Sequence, residues 1–327
     1  MAHYITKRLL SALILLFTLL SLVFLVTRLA PGDPIDPYLD PDMGAEQRRL
    51  LRVQMGLDRP LGEQYLAWLG DVCLRGDFGR SLRLHRPVGE ILGEAVPNTL
   101  LLTIPSYALH LVTALGLGVW MARRRGDVGE RVMTVLGLGV YSLPTFWLGL
   151  MLILVFARWL GWFPAGGMHD PGAFAMSTPQ RWLDTLHHMA LPVFLLGATT
   201  AMGTARYLRT TLIEAMESDY VLAARARGLP ERSLIWRHAV RNALSPVITL
   251  VGLNLPFLLG GAVVVEYVFA WPGMGRVAID AIFTRDYPVI MGVTALSASM
   301  VILGNLLADI CYGLADPRVR LGDRGRS

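Results

Sequence analysis

Few residues in this sequence have the types and spacing that chemistry requires. Two histidines are adjacent, His187-His188, but no acid follows them at metal-ligand spacing, so they do not read as the HExxH of a zinc hydrolase. Cys73 and Cys311 stand alone with most of the chain between them, which argues against a disulfide. With no CxxC and no Cys/His cluster, no metal site is marked either. A nucleotide-binding P-loop needs a lysine after a glycine-rich turn, and the only lysine is Lys7, beside Arg8. This polypeptide is therefore not expected to hydrolyse ATP. A hydrolase working inside a membrane would need paired aspartates, a Ser/Lys or Ser/His pair, or HExxH within its apolar runs, and the enzyme reading is poor. No catalytic residue, cofactor or metal is expected.

The elements that would position any functional residue are apolar helices. Hydrophobic residues make up 54% of the 327 and charged ones only 17%, against about 25% charged in a globular chain, so lipid must cover much of the surface. Residues 9–27 carry no charge, and about 20 such residues in helix span a bilayer. This run is longer than a signal-peptide core and no small-x-small cleavage site precedes Pro31, so it reads as a retained helix. Six spans are predicted, at about 9–29, 98–122, 132–157, 188–208, 244–268 and 289–313. Arg123, Arg124, Arg125 and Arg131 crowd the first short loop, which the positive-inside rule places in the cytoplasm together with both termini. The net charge of +5 then reflects topology, and no nucleic-acid partner is needed to explain it. Residues 31–96 form the one sizeable outer segment. It opens with the break Pro31-Gly32-Asp33-Pro34, holds a short polar helix at 44–55 and an amphipathic one at 62–74, and reads as a cap on the bundle. Cys73 falls in a loop on this reading.

Polar residues inside spans are costly and so are candidate pathway contacts. His110 in the second span and Asn254 in the fifth qualify, though a helix–helix hydrogen bond is the favoured reading of His110. Glu266 and Asp309 lie near span ends, where they can reach water; Glu266 is kept as a pathway candidate. The outer loop 266–288, with Trp271-Pro272-Gly273, reads as a tight turn with an aromatic at the interface.

Residues 211–246 carry the most informative grammar: helix, stop, helix. Ser218 or Asp219 can accept free amide protons at a helix start. Two turns from Tyr220 to Arg227 end at Gly228, where left-handed geometry is free of strain, and Pro230 suits the first position of the next helix. Ala223 and Ala224 leave one face nearly bare for another protein surface. On grammar alone, an amphipathic helix lying on the membrane fits equally well.

This stretch resembles the coupling loop of ABC-type import permeases, and more narrowly the permeases of dipeptide, oligopeptide and nickel importers. The matching residues are Asp219-Tyr220-Val221, Ala223-Ala224-Arg225-Ala226-Arg227-Gly228-Leu229, Arg237-His238-Ala239, Arg241-Asn242-Ala243 and Pro246. Leu222 stands where the general pattern has an acid. The resemblance covers nearly the whole chain. It includes Tyr4, Arg8, Pro31-Gly32-Asp33-Pro34, Gly56-Leu57-Asp58, Pro60, Gln64-Tyr65, Gly76-Asp77-Phe78-Gly79 and Ser81. Pro97-Asn98-Thr99-Leu100 opens the second span; Gly260-Gly261-Ala262, Glu266, Phe269, Trp271-Pro272-Gly273-Met274-Gly275, Arg285-Asp286-Tyr287-Pro288 and Asp316-Pro317-Arg318 follow. The segment 159–187 is shorter than is common in dipeptide-type members, which leaves peptide and metal-complex substrates both open.

The resemblance implies an all-α integral membrane protein with six transmembrane helices, an ABC importer type I permease fold, and a small extracytoplasmic helical segment between helices 1 and 2. It implies residues 1–96 as first helix plus cap, 97–314 as permease core with the coupling loop at about 211–243, and 315–327 as a cytoplasmic tail. The chain would be multi-pass in a bacterial cytoplasmic (inner) membrane. It would form half of a pathway with a homologous permease subunit, a heterodimer, served by two ATP-binding cassette subunits and an extracytoplasmic solute-binding protein. Asp219, Tyr220, Ala223, Ala224, Arg225, Arg227 and Gly228 would engage the ATPase. Nickel or another metal complex is the alternative cargo. A gradient-driven secondary transporter is the more distant rival; it would show internal repeats and midplane acids, and neither is evident.

Overall fold

Once water is excluded, an apolar segment can satisfy its backbone only within its own helix, and the chain is built accordingly. The computed structural model describes residues 2–29, 44–54, 56–230, 233–240 and 262–315. Its helices are α1 (Ala2–Leu29), α2 (Ala45–Gln54), α3 (Leu61–Gly70), α4 (Val88–Arg123), α5 (Val128–Ser142), α6 (Thr145–Leu152), α7 (Thr178–Met216), α8 (Asp219–Ala226), α9 (Val263–Val268), α10 (Met274–Thr284) and α11 (Tyr287–Ala315). Wider π-type turns continue α3 through Asp71–Arg75 and α6 through Ile153–Trp159. Among the described residues there is no strand beyond one isolated bridge between Arg80 and Pro87.

Among the described residues, four helices are long and apolar enough to cross a membrane: Arg8–Leu29, Val88–Arg123, Thr178–Met216 and Tyr287–Leu306. The third predicted span is broken. Val128–Ser142 and Thr145–Trp159 meet at 102° because Leu143 precedes Pro144, and a residue before proline is driven out of the helical region; Leu143 is extended at φ −78°, ψ 143°. The predicted fifth span, with Asn254, lies outside the described residues apart from its end. So do Pro31–Pro34, Gly260-Gly261, Arg241–Pro246 and the tail from Asp316.

Two spans begin earlier than the sequence suggests. α4 starts at Val88, and Pro97, expected to open the span, lies inside it with Pro105. α7 starts at Thr178, where Gln180 turns back to accept the Ser177 amide at 3.0 Å and Pro179 sits in the first turn. Polar first turns of this kind extend a helix past the apolar run that marks it. Cys73 sits in the wide helical turn after α3, not in a loop, and is exposed.

α4 and α7 pack most extensively of all pairs. Ser106, His110, Ala114 and Gly118 recur every fourth residue on α4 and face Gly197, Ala201 and Ala205 on α7. In lipid no hydrophobic effect drives helices together, so close backbone approach must do it. A Cβ on Gly197 would lie 2.6 Å from the Ser106 carbonyl oxygen, and one on Gly118 2.9 Å from that of Ala205. By contrast, only 11% of the apolar window of α1 is buried within the chain, against 50% for α7, so α1 lies at the rim. It packs against α11 and holds α3, through Phe24 against Tyr65 and Trp68 at ring distances of 5.3 and 5.5 Å.

Gly197→Leu should therefore destabilise the bundle by about 1–3 kcal/mol through overpacking. Gly116→Leu, on the same α4 but with nothing within 4 Å of its Cβ, should not. Thermal unfolding of the two variants in matched detergent or nanodiscs checks the contrast; equal Tm values would refute the α4–α7 register.

Candidate functional site

At one end of the bundle α7 hands over to α8. Of the two residues that could accept amide protons there, Ser218 or Asp219, Ser218 instead donates its hydroxyl to the Ala215 carbonyl at 2.5 Å, because the last carbonyls of α7 lack helical partners. Asp219 is the first residue of α8, where a negative charge suits the helix N-terminus. The helix closes in a Schellman motif. The Gly228 amide donates to Arg225 and the Leu229 amide to Ala224, with Gly228 at φ +79°. Val221 and Ala224 are buried against Leu234 of the following segment. Ala224 thus seats α8 on its own chain, and the uncovered face carries Asp219, Tyr220, Leu222, Ala223, Arg225 and Arg227, all exposed. Side chains link this end to α4 and α5: Arg125 pairs with Glu217, while Arg209 pairs with the buried Glu130 at 2.5 Å. Glu130 also accepts the Gly126 amide at 2.8 Å.

Midway along the bundle, His110 bridges α4 and α7. Its Nδ1 lies 2.9 Å from Thr200 Oγ1 and its Nε2 3.0 Å from Thr204 Oγ1. Thr200 already donates to the Leu196 carbonyl, so its oxygen accepts from Nδ1–H and Nε2 accepts from Thr204. Both ring nitrogens are used within the protein, which is the helix–helix reading of this residue. Asn254 lies outside the described residues.

Glu266 does not reach water, contrary to its place at a span end: it is 0% exposed. One carboxylate oxygen accepts from Thr99 Oγ1 at 2.8 Å; the other accepts the Gly275 amide at 2.7 Å and the Arg276 amide at 3.3 Å. The Met274 amide donates to Thr99 Oγ1 at 2.8 Å. The first three amides of α10, which have no intrahelical acceptors, are thus all satisfied, two by Glu266 and one by Thr99. Glycines are needed at 273 and 275 for room: a Cβ at either would fall 2.4 Å from the Glu266 carboxylate or from Val263 Cα respectively. Trp271, fully buried, donates to the Asn98 carbonyl, and Asn98 returns a bond to the Pro272 carbonyl. The loop expected as a tight turn is therefore a cap-and-helix unit docked on the start of the second predicted span.

Nearby, Asp286 is buried and accepts from Ser81 Oγ and from the amides of Leu82 and Arg83. This fastens residues 79–87 to the start of α11. Sequence reasoning missed both carboxylate anchors, since Thr99 lies 167 positions from Glu266 and the partners of Asp286 more than 200 positions from it. It also missed an acid for the histidine pair. Asp184 precedes His188 by one helical turn, and Asp170 joins them from the preceding loop.

A family model described as "Binding-protein-dependent transport system inner membrane component" matches residues 114–321, and its companion for the N-terminal part matches residues 1–103. The chain is 41% identical over 323 residues to the oligopeptide transport system permease protein AppB of Bacillus subtilis, covering 98% of this chain and 99% of that one. It is 41% identical over 324 residues to a putative peptide permease protein of Brucella ovis, covering 98% and 100%. It is 37% identical over 320 residues to the glutathione transport system permease protein GsiC of Escherichia coli strain K12, covering 98% and 99%.

Glu266→Leu leaves the Gly275 and Arg276 amides without acceptors and should destabilise the protein by about 3 kcal/mol or more, at roughly 1–3 kcal/mol per orphaned donor. Glu266→Gln keeps one acceptor oxygen and should lose less. Thermal unfolding would rank wild type above Gln above Leu; a Leu variant as stable as wild type would remove the carboxylate from its capping role.

Proposed function

The chain belongs to the family of binding-protein-dependent transport system inner membrane components, and from that membership we propose how it works in a peptide importer. It is the transmembrane permease subunit, and it forms half of a pathway for di- and oligopeptides. The relatives' names support peptides over nickel or another metal complex: they are permeases of oligopeptide, peptide and glutathione systems. The other half of the pathway is a homologous permease. Two ATP-binding cassette subunits drive the pair, and an extracytoplasmic solute-binding protein delivers the cargo. In this reading six helices cross the membrane, both termini and α8 are cytoplasmic, and the Glu266 end faces outward. Residues 97–314 are the permease core, with 1–96 as first helix plus cap.

One observation carries the coupling role. α8 is a short helix clamped at both ends by its own chain, with one face seated and the other uncovered. A free surface helix would transmit little, whereas this one follows α7 through the tight turn at Glu217-Ser218, and the end of α7 that carries it is tied to the α4–α5 turn by Arg125–Glu217 and to α5 by Arg209–Glu130. An ATPase groove that received Asp219, Tyr220, Ala223, Arg225 and Arg227 would move α8 and α7 as one body. Ala224 serves from inside, as the contact that keeps the helix seated, and Gly228 ends the helix so that the chain can turn back.

Gly228→Val forces a β-branched residue into φ +79°, a conformation that costs such residues about 1–3 kcal/mol, and should unseat the end of α8. In proteoliposomes with the ATPase and binding-protein subunits, peptide uptake should fall at least about tenfold while the ATPase still turns over and the subunit still inserts. Uptake at wild-type level would sink the coupling role. Uptake abolished by a protonophore but indifferent to ATP depletion would instead favour a gradient-driven carrier.

A further inference from the structure

We propose that Asp170, Asp184 and His188 bind a divalent transition-metal ion of the zinc class, which pins the 163–176 loop to the first turns of α7. The three residues offer one imidazole nitrogen and two carboxylate oxygens, all within 4.8 Å of one another. Asp184 and His188 stand one turn apart on α7, and their side chains are 7% and 2% exposed. Asp170 approaches from the loop with 62% of its side chain open.

Asp184 Oδ1 lies 3.2 Å from His188 Nδ1, and the open ligand atoms are His188 Nε2 and Asp170 Oδ1. His188 Nδ1 lies 2.9 Å from the Asp184 carbonyl oxygen, which can only accept, so Nδ1 carries the proton. Nε2 then presents its lone pair, and it faces Asp170 Oδ1 at 3.7 Å. That separation is too long for a hydrogen bond. With the proton on Nδ1, two acceptors face each other across a gap that a cation can fill. Ligand atoms of a tetrahedral ion with bonds of roughly 2.0–2.2 Å lie about 3.4 Å apart, close to the spacing found.

A supporting layer is also in place. Asp184 Oδ2 lies 3.1 Å from His169 Nδ1 and 3.1 Å from the Asp170 amide. The imidazole and amide thereby orient the carboxylate and bring Asp170 to it, as outer partners orient ligands in metal sites. A cleft of about 520 Å³, lined by Asp170, Asp184, His187, Met176 and Gln180, opens onto the two carboxylates. One imidazole with two carboxylates suits zinc and its neighbours better than the all-oxygen shells of calcium and magnesium.

The consequence is mechanical. The loop that supplies Asp170 also passes through Gly167, whose amide donates to the Phe269 carbonyl at 2.8 Å. A bound ion would therefore join the end of α7 to the unit built on Glu266 and Trp271.

The test uses tag-free full-length chain in nanodiscs, stripped of metal and titrated with zinc by calorimetry. Saturable binding of one ion is expected, with an upward Tm shift. Asp170→Asn alters an exposed side chain that the fold does not need, and should weaken zinc at least about tenfold while keeping the metal-free Tm. His188→Gln should do the same to affinity, and His187→Gln should not. Cobalt in place of zinc should give the intense visible bands of a tetrahedral centre in wild type and lose them in Asp170→Asn. No saturable binding would overturn the site. So would zinc affinity unchanged in both Asp170→Asn and His188→Gln, or a Tm that responds to pH in the same way with and without Asp170 and ignores zinc.

Discussion

The carboxylate of Glu266 is the constraint on which one end of this molecule depends. A buried carboxylate is tolerated only where its acceptors are used, and here two backbone amides and a hydroxyl converge on it. The same amides are the unsatisfied start of α10, so one group answers two needs that would each be costly alone. Everything nearby follows from fitting that geometry. Glycines at 273 and 275 leave room for the carboxylate, and Thr99 relays a third amide. Trp271 closes the space above and bonds back to Asn98. Asp286 repeats the device for residues 79–87. The segments that leave the bilayer are thus held by polar anchors beside apolar ones, Met274 and Ala281 packing on Val88, Ile91 and Leu92, and Trp271 on Leu102 and Met189.

Inside the bilayer the order of forces reverses. α4 and α7 meet through small residues at every fourth position, with His110 spanning the gap to Thr200 and Thr204. Neutral hydrogen bonds of this kind between membrane helices contribute about 0.6 to 2 kcal/mol, so the close backbone contact at Gly118 and Gly197 carries most of the association. α1 has no such stripe and is the least buried of the four long apolar helices, which fits a helix added at the rim of a core made by α4 and α7.

The apolar runs made most of the fold legible. α1, α4, α7 and α11 fall where unbroken hydrophobicity puts them, and α2, α3 and α8 where capping residues and periodicity do. The misreadings have local causes. Val88 and Thr178 begin their helices in polar sequence, which a hydropathy reading assigns to loops. Leu143-Pro144 breaks a run whose composition alone is continuous. In the candidate site, the exposed face of α8 and the glycine that ends it were legible because a helix stop is written in adjacent residues. Glu266 was not, because only folding brings Thr99 to it. Asp184 was not legible for a different reason: metal motifs such as HExxH place the acid after the histidine, while here helical geometry brings the partner from four residues behind.

α7 joins these regions. Its 39 residues make a helix of about 58 Å at 1.5 Å per residue, well beyond the roughly 30 Å of a hydrocarbon core. It therefore projects on both sides, with α8 at one end and Asp184 and His188 at the other. Coupling between two sites is reciprocal: whatever favours one position of α7 at its α8 end must be favoured in turn by ligands that prefer that position at the far end. On the proposed mechanism, ATPase closure and cargo delivery bias the same rigid element from opposite ends. A metal ion between Asp170 and α7 would add a further tie between that element and the Glu266 unit. The polar anchors fasten that unit to α4 through Asn98 and Thr99, and the small-residue stripe fastens α4 to α7, so the three are joined in series.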